Sequence, residues 1–176
     1  MHGLIFTSFL QFTRHRFPEQ VDAIWREEPR FLATAAYPDD DFVRILERTA
    51  SVTSTPSADL LRQFGSFAAQ TTFRLLYPDY YAESGSTRTF LLEVEGRIHD
   101  LVRATISDAS PPKLHVVPLG AEGVMVTYTS ERGLCDLVHG LIIGTALHFE
   151  ERFDVEQVQC MREGDPACAF VVERAG

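Results

Sequence analysis

Apolar residues recur at helical spacing through the first part of the chain and alternate with polar ones towards its end. Leu4, Ile5, Phe9, Leu10, Phe12 and Phe17 predict a first helix, interrupted at Phe17-Pro18. Val21 to Glu28 predicts a short second helix, stopped at Pro29. Asp39, Asp40 and Asp41 suit a helix start, where acidic side chains meet the positive end of the dipole, and Phe42 to Ala50 continues it. Ser51 to Ser57 is the most linker-like stretch and predicts a hinge between subdomains. Ser57 is an N-cap candidate for a helix running to about Leu76, with Leu60, Phe64, Phe67 and Phe73 inside it and Tyr77-Pro78 ending it. After a loop at Ser84 to Ser86, a long helix is predicted from Thr87 to Ile106, with an apolar stripe of Leu91, Val94, Ile98, Leu101 and Val102.

The pattern then changes. Asp108 to Pro112 reads as a turn, Leu114 to Leu119 as a strand, Gly120 to Gly123 as a hairpin turn and Val124 to Thr129 as an alternating strand. Arg132 to Glu151 returns to helical spacing, with Leu134, Leu137, Leu141, Ile142 and Ala146 inward. Val155 to Met161 and Cys168 to Val172 predict a last hairpin. Helices bunched before strands indicate an α+β fold with a roughly four-stranded antiparallel sheet. We expect one domain over 1–176, with a helical N-terminal subdomain at 1–55 and a second subdomain at 56–176.

Composition narrows the function classes. A net charge of −9 disfavours a broad nucleic-acid surface or an anionic membrane surface, since both call for clustered Lys and Arg. The N-terminus lacks the features of a signal peptide, and no apolar run is long enough for a membrane span. Three cysteines make a disulfide framework a poor fit and suit a reducing cytoplasm. Gly-x-Ser-x-Gly, phosphate-binding glycine loops and His-Glu-x-x-His are missing, so no enzyme is expected.

Two groups of residues carry chemistry. His99 falls in line with Leu92, Val102 and Ile106, on the edge of the buried helix face. A neutral imidazole there serves either as an ordinary packed core residue or as the proximal ligand of a heme iron, and periodicity alone does not separate the two. In an extended segment Tyr128, Ser130 and Arg132 point the same way and present two hydroxyls and a guanidinium, a donor set suited to carboxylates such as heme propionates. The alternative is a strand end whose polar residues face water.

Taken together and in order, these residues resemble the heme nitric oxide/oxygen-binding (H-NOX) domain, the sensor module of soluble guanylate cyclase and of bacterial stand-alone proteins. The likeness spans nearly the whole chain. It runs from the opening Met1 to Phe6, through His99 at the proximal-ligand position and Pro111-Pro112, to Tyr128-x-Ser130-x-Arg132 and the glycines Gly140 and Gly144. The resemblance implies heme b held by His99, with Tyr128, Ser130 and Arg132 on the propionates. It places Ile5 and Pro112 against the ring and makes Phe73, Leu137 and Leu141 the distal wall. Members that hold oxygen stably use a distal tyrosine at the position where this chain has Leu137. The resemblance therefore implies a sensor of nitric oxide, with carbon monoxide as a further ligand. His139 is near in sequence but on another helical face. Signalling would follow release of His99, relaxation of the heme against Ile5 and Pro112, and a shift of the N-terminal lobe. A separate partner would read it, since no output domain fits this length: a histidine kinase, a cyclic-dinucleotide enzyme or a chemoreceptor.

Some bacterial members also bind structural zinc through three cysteines and a histidine. Cys135, Cys160 and Cys168 match the cysteines, but Gln157 stands where the histidine belongs, and Gln is a poor zinc ligand. Free thiols, a three-cysteine site with a borrowed ligand and a redox switch all stay open. A rival reading is a heme-free small-molecule-binding module, because Cys160 to Val172 also resembles the end of the vinyl-reductase-like domains.

Overall fold

The computed structural model describes residues 1–105 and 111–176. The expected helix end at Ile106 and most of the turn at Asp108 to Pro112 lie outside the described residues. Helices α1 (Gly3–Arg16), α2 (Val21–Trp25), α3 (Asp39–Thr53) and α4 (Ser57–Ala68) come first. α5 (Arg74–Leu76), α6 (Pro78–Ser84), α7 (Thr87–Val94) and α8 (Asp100–Thr105) follow. Strands β1 (Lys113–Leu119) and β2 (Gly123–Thr129) precede α9 (Cys135–His148), and β3 (Phe153–Gln159) and β4 (Cys168–Arg174) close the fold. The strands form one four-stranded antiparallel sheet, as expected, and its order is β1-β2-β4-β3. Among the described residues no helix is long and apolar enough to cross a membrane.

Two hydrophobic clusters organise these elements. One is aromatic: Phe6, Phe9, Phe12, Phe42 and Phe64 pack together, with Phe6 stacked on Phe31 at 4.3 Å between ring centres. It takes Leu60, Leu61 and Phe64 from α4 as well as residues from α1, α2 and α3. The other joins the inner face of the sheet (Val124, Val126, Tyr128, Phe170 and Val172) to Phe90, Leu91, Val138 and Ile142. Helix α9 belongs to both clusters, which explains why it is apolar nearly all round rather than on one stripe. It lies tight against α4 because glycines remove side chains at the crossing. A Cβ on Gly140 would sit 2.1 Å from the Arg62 carbonyl oxygen, and one on Gly144 2.5 Å from that of Ser66.

Several boundaries differ from the periodicity reading, each for a local reason. Pro56, in an extended conformation, occupies the cap position of α4, so Ser57 is the first helical residue and its hydroxyl caps nothing. Helix α3 runs through Thr53 and ends at Ser54, in the left-handed region at φ 52°, which narrows the connection to 54–56. Tyr77 does break the chain, but Pro78 opens a new helix, where a missing N–H costs nothing. Gly133, at φ 60°, turns the backbone before α9, which therefore starts at Cys135 and not at Arg132.

The two long predicted helices are each interrupted by a wide π-type turn, over Ala69–Phe73 and Glu95–His99. Such turns add a residue to the helical cycle and frequently mark functional positions.

Candidate functional site

His99 closes the second wide turn and Glu95 opens it. The Glu95 carboxylate lies 2.8 Å from His99 Nδ1, accepts from Arg103 at 2.5 Å and from the Leu114 backbone N–H at 3.1 Å. Burial pushes the Glu95 carboxyl up, but the bonds from Arg103, His99 and Leu114 outweigh it and hold the group below its ordinary value. An ionised carboxylate only accepts, so Nδ1 of His99 carries a proton, and in the neutral imidazole this tautomer leaves the lone pair on Nε2. Nε2 has no protein partner among the described residues, and the side chain is only 15% exposed. That is the state an imidazole needs to ligate a metal.

A polar group closes one part of the same region. Tyr128 is the last buried residue of β2, paired with Leu114 on β1 and Cys168 on β4. Its hydroxyl accepts from the Leu134 N–H at 3.1 Å. Burial, opposed by contacts with Ser130 and Leu134, pushes the phenol above its ordinary value and keeps it protonated. The strand ends at Thr129, yet alternation carries through: Tyr128, Ser130 and Arg132 all reach the same cavity. The Arg132 Nε donates to Asp39 Oδ2 at 2.8 Å, tying this rim to the start of α3. Burial raises the Asp39 carboxyl, but the Met1 amino group and Arg132 outweigh it and hold it low. Such a rim can grip carboxylates through two hydroxyls and a planar cation.

The cavity between the two hydrophobic clusters has a volume of about 310 Å³, at the lower end of small-molecule sites. The structure brings all nine expected pocket residues to its lining: His99, Tyr128, Ser130, Arg132, Ile5, Pro112, Phe73, Leu137 and Leu141. His139 is not among the lining residues and packs edge-on towards Phe170. Burial keeps that imidazole below its usual value. Of the other hydroxyls on the wall, Thr145 donates to the Leu141 carbonyl and Tyr81 to that of Ala69. Tyr77 lines the cavity with a hydroxyl that has no protein partner among the described residues, and burial raises its phenol.

Sequence reasoning misses three of these contributors. Glu95 has a signal in its position four residues before His99, a spacing that brings two helical side chains together. Asp39 is legible only as a helix start, since its pairing spans 93 residues. Tyr77 looks like no more than a helix terminator.

The three cysteines are buried and free, and their sulfurs lie within 4.8 Å of one another. Tetrahedral zinc at about 2.3 Å from each sulfur would space them about 3.8 Å apart, so three corners suit the metal. The fourth does not. Gln157 stands beside Cys135, with its amide donating to the Gln159 carbonyl, and Arg162 presents a cation to Cys160. Burial pushes the Cys135 thiol up to about 11. At Cys160 burial also raises the thiol, but the backbone and side chain of Arg162 outweigh it and leave the group below its ordinary value. Arg162 in turn bonds the buried Asp136, which also holds Arg62 of α4. The segment behind the vinyl-reductase-like resemblance forms this cysteine hairpin and β4.

Comparison with known proteins agrees with this arrangement. The Haem-NO-binding family matches residues 2–157. An H-NOX protein from Shewanella oneidensis, solved in its Fe(II)NO state, superposes with a TM-score of 0.91 at 19% identity, covering 100% of both chains. The unliganded Fe(II) H-NOX protein from K. algicida superposes with a TM-score of 0.84 at 23% identity, covering 100% of this chain and 97% of that one. A third structure, the H-NOX domain from Shewanella oneidensis in its Fe(II)CO state, gives 0.88 at 20%, covering 100% and 99%. No curated protein matches the sequence. With the family matched over most of its length and the α+β fold shared throughout, the chain belongs to the Haem-NO-binding (H-NOX) family of heme-based gas sensors, which are sensor domains and not enzymes.

Proposed function

We propose that this domain holds heme b through His99 and senses nitric oxide, with carbon monoxide as a second ligand, and that a separate signalling protein reads the outcome. The observation that carries the reading is a cavity-lining histidine whose Nδ1 is committed to a carboxylate and whose Nε2 is not, in an apolar chamber with a carboxylate-binding rim. When bound, heme iron would supply a binding site for a diatomic gas. His99 would hold the metal. Tyr128, Ser130 and Arg132 would grip the propionates, and Ile5 and Pro112 would press on the ring. Phe73, Leu137 and Leu141 exclude water and offer no hydrogen bond, which favours nitric oxide over stably held oxygen.

Movement of His99 would carry Glu95 with it and so disturb the Leu114 N–H at the edge of the sheet. The Arg132–Asp39 pair and Ile5 connect the cavity to the N-terminal helices, and the connection at 54–56 gives those helices a hinge. The partner classes remain those the resemblance brings: a histidine kinase, a cyclic-dinucleotide enzyme or a chemoreceptor, reached in a reducing cytoplasm that suits three free thiols.

The absorption spectrum of the ferrous protein tests this. A strong Soret band that shifts with nitric oxide under anaerobic conditions and shows no stable oxygen complex in air is expected. A protein that stays colourless after reconstitution with heme overturns the reading. One observation favours a second reading, oxygen binding: the uncommitted Tyr77 hydroxyl on the cavity wall. A stable oxygen complex that is lost in Tyr77→Phe would establish it.

A further inference from the structure

Glu95 has three donors on one carboxylate: His99 Nδ1 at 2.8 Å, Arg103 at 2.5 Å and the backbone N–H of Leu114 at 3.1 Å. Leu114 lies on β1, and Arg103 on α8 is itself held by Asp100 at 2.7 Å, so the carboxylate is anchored from the sheet and from the helix at once. It cannot swing away from the imidazole without giving up both anchors. Among the described residues it is the one carboxylate hydrogen-bonded to His99.

A carboxylate accepting from the far side of a ligating imidazole does two things. It fixes the tautomer and the ring plane, and it makes the ligating nitrogen a stronger electron donor. Arg103 acts in the opposite sense, because a guanidinium on the same carboxylate draws off part of the negative charge that the imidazole would otherwise feel. We infer that Glu95 is a positioning residue for His99 and that the balance between Glu95 and Arg103 sets the strength of the bond from His99 to iron. This rests on the heme reading above. It adds a control on how readily His99 would be released when a gas binds: the stronger the donation, the larger the fraction of the nitric oxide complex that keeps its histidine.

The test uses the heme-loaded wild type, Glu95→Gln and Arg103→Gln. Glu95→Gln preserves shape and removes charge. The iron–histidine stretching band of the ferrous, unliganded protein should shift down, and heme loss to an apoglobin acceptor should speed up by about tenfold, the lower end for partners of metal ligands. Arg103→Gln should shift the same band up and slow the loss of His99 in the nitric oxide complex. These opposite signs are what a merely structural role does not produce. If both variants keep heme and neither moves the band, or if both only lower the melting temperature, the inference is overturned. If instead the wild type shows no iron–histidine band at all while heme is bound, the ligand assignment of His99 has failed, and the role of Glu95 fails with it.

Discussion

The two wide turns line one cavity but are built in different ways. The turn at Glu95–His99 is polar: its first and last residues bond each other, and Arg103 and the Leu114 N–H lock the pair. The turn at Ala69–Phe73 offers the cavity an aromatic ring, and its hydrogen bonds run to other helices and not to a cavity-facing ligand group, one of them joining the Thr72 and Ser8 hydroxyls at 2.6 Å. The Tyr81 hydroxyl donates to the Ala69 carbonyl and Thr71 to that of Phe67. One side of the chamber grips, with directional bonds to specific atoms. The other side shapes, through packing of Phe73, Leu137 and Leu141. The gripping side should therefore respond to loss of a single donor, and the shaping side to volume.

The largest expected effect is on the gripping side. Arg132→Ala removes the cation of the rim and leaves Asp39 without it. A hydrogen bond to a charged group is worth about 1.5–3 kcal/mol, so losing the Arg132 bond to a propionate should accelerate heme dissociation by about tenfold or more, measured by transfer to an apoglobin. On the shaping side, Gly140→Ala places a methyl group where the Arg62 carbonyl already sits and must push α4 and α9 apart. A loss of about 1–3 kcal/mol in unfolding free energy is expected by denaturant titration. Leu137→Tyr sharpens the comparison by putting a donor on the apolar wall. It should strengthen oxygen binding by about tenfold, the worth of one hydrogen bond, in a gas titration. Failure would show that the shape of the wall outweighs its polarity.

The smallest effect concerns Asp39. Its carboxyl is held below the ordinary value of 3.8 in the folded state, so its contribution is present above that value and is lost as pH falls through the lowered one. Its side chain is 42% exposed, so Asp39→Asn should cost about 0.5 kcal/mol or less near neutral pH. The difference between variant and wild type should vanish at acidic pH in parallel urea titrations.

The contrast also explains what is legible in the sequence. Alternation in Val124 to Thr129 marks a strand half-facing a core, and its continuation through Ser130 and Arg132 locates the rim, because side-chain direction follows from backbone period alone. His99 stands out from its order with the other motifs rather than from its helix, which periodicity draws as continuous. The wide turns are not visible, since a shift in hydrogen-bond register leaves apolar spacing almost unchanged over a few residues. Glu95 is half of a local pair and lies within reach of sequence reasoning. Asp39 depends on chain closure and does not. The glycines on α9 form a visible motif, but only the crossing with α4 supplies their physical reason.

The account turns on whether His99 is the group that holds the metal. His99→Gly, reconstituted with heme and reduced, should lose the wild-type ferrous spectrum and regain it when imidazole is added to fill the vacated position. A variant whose spectrum matches the wild type without imidazole would contradict the account, because some other residue would then be the ligand.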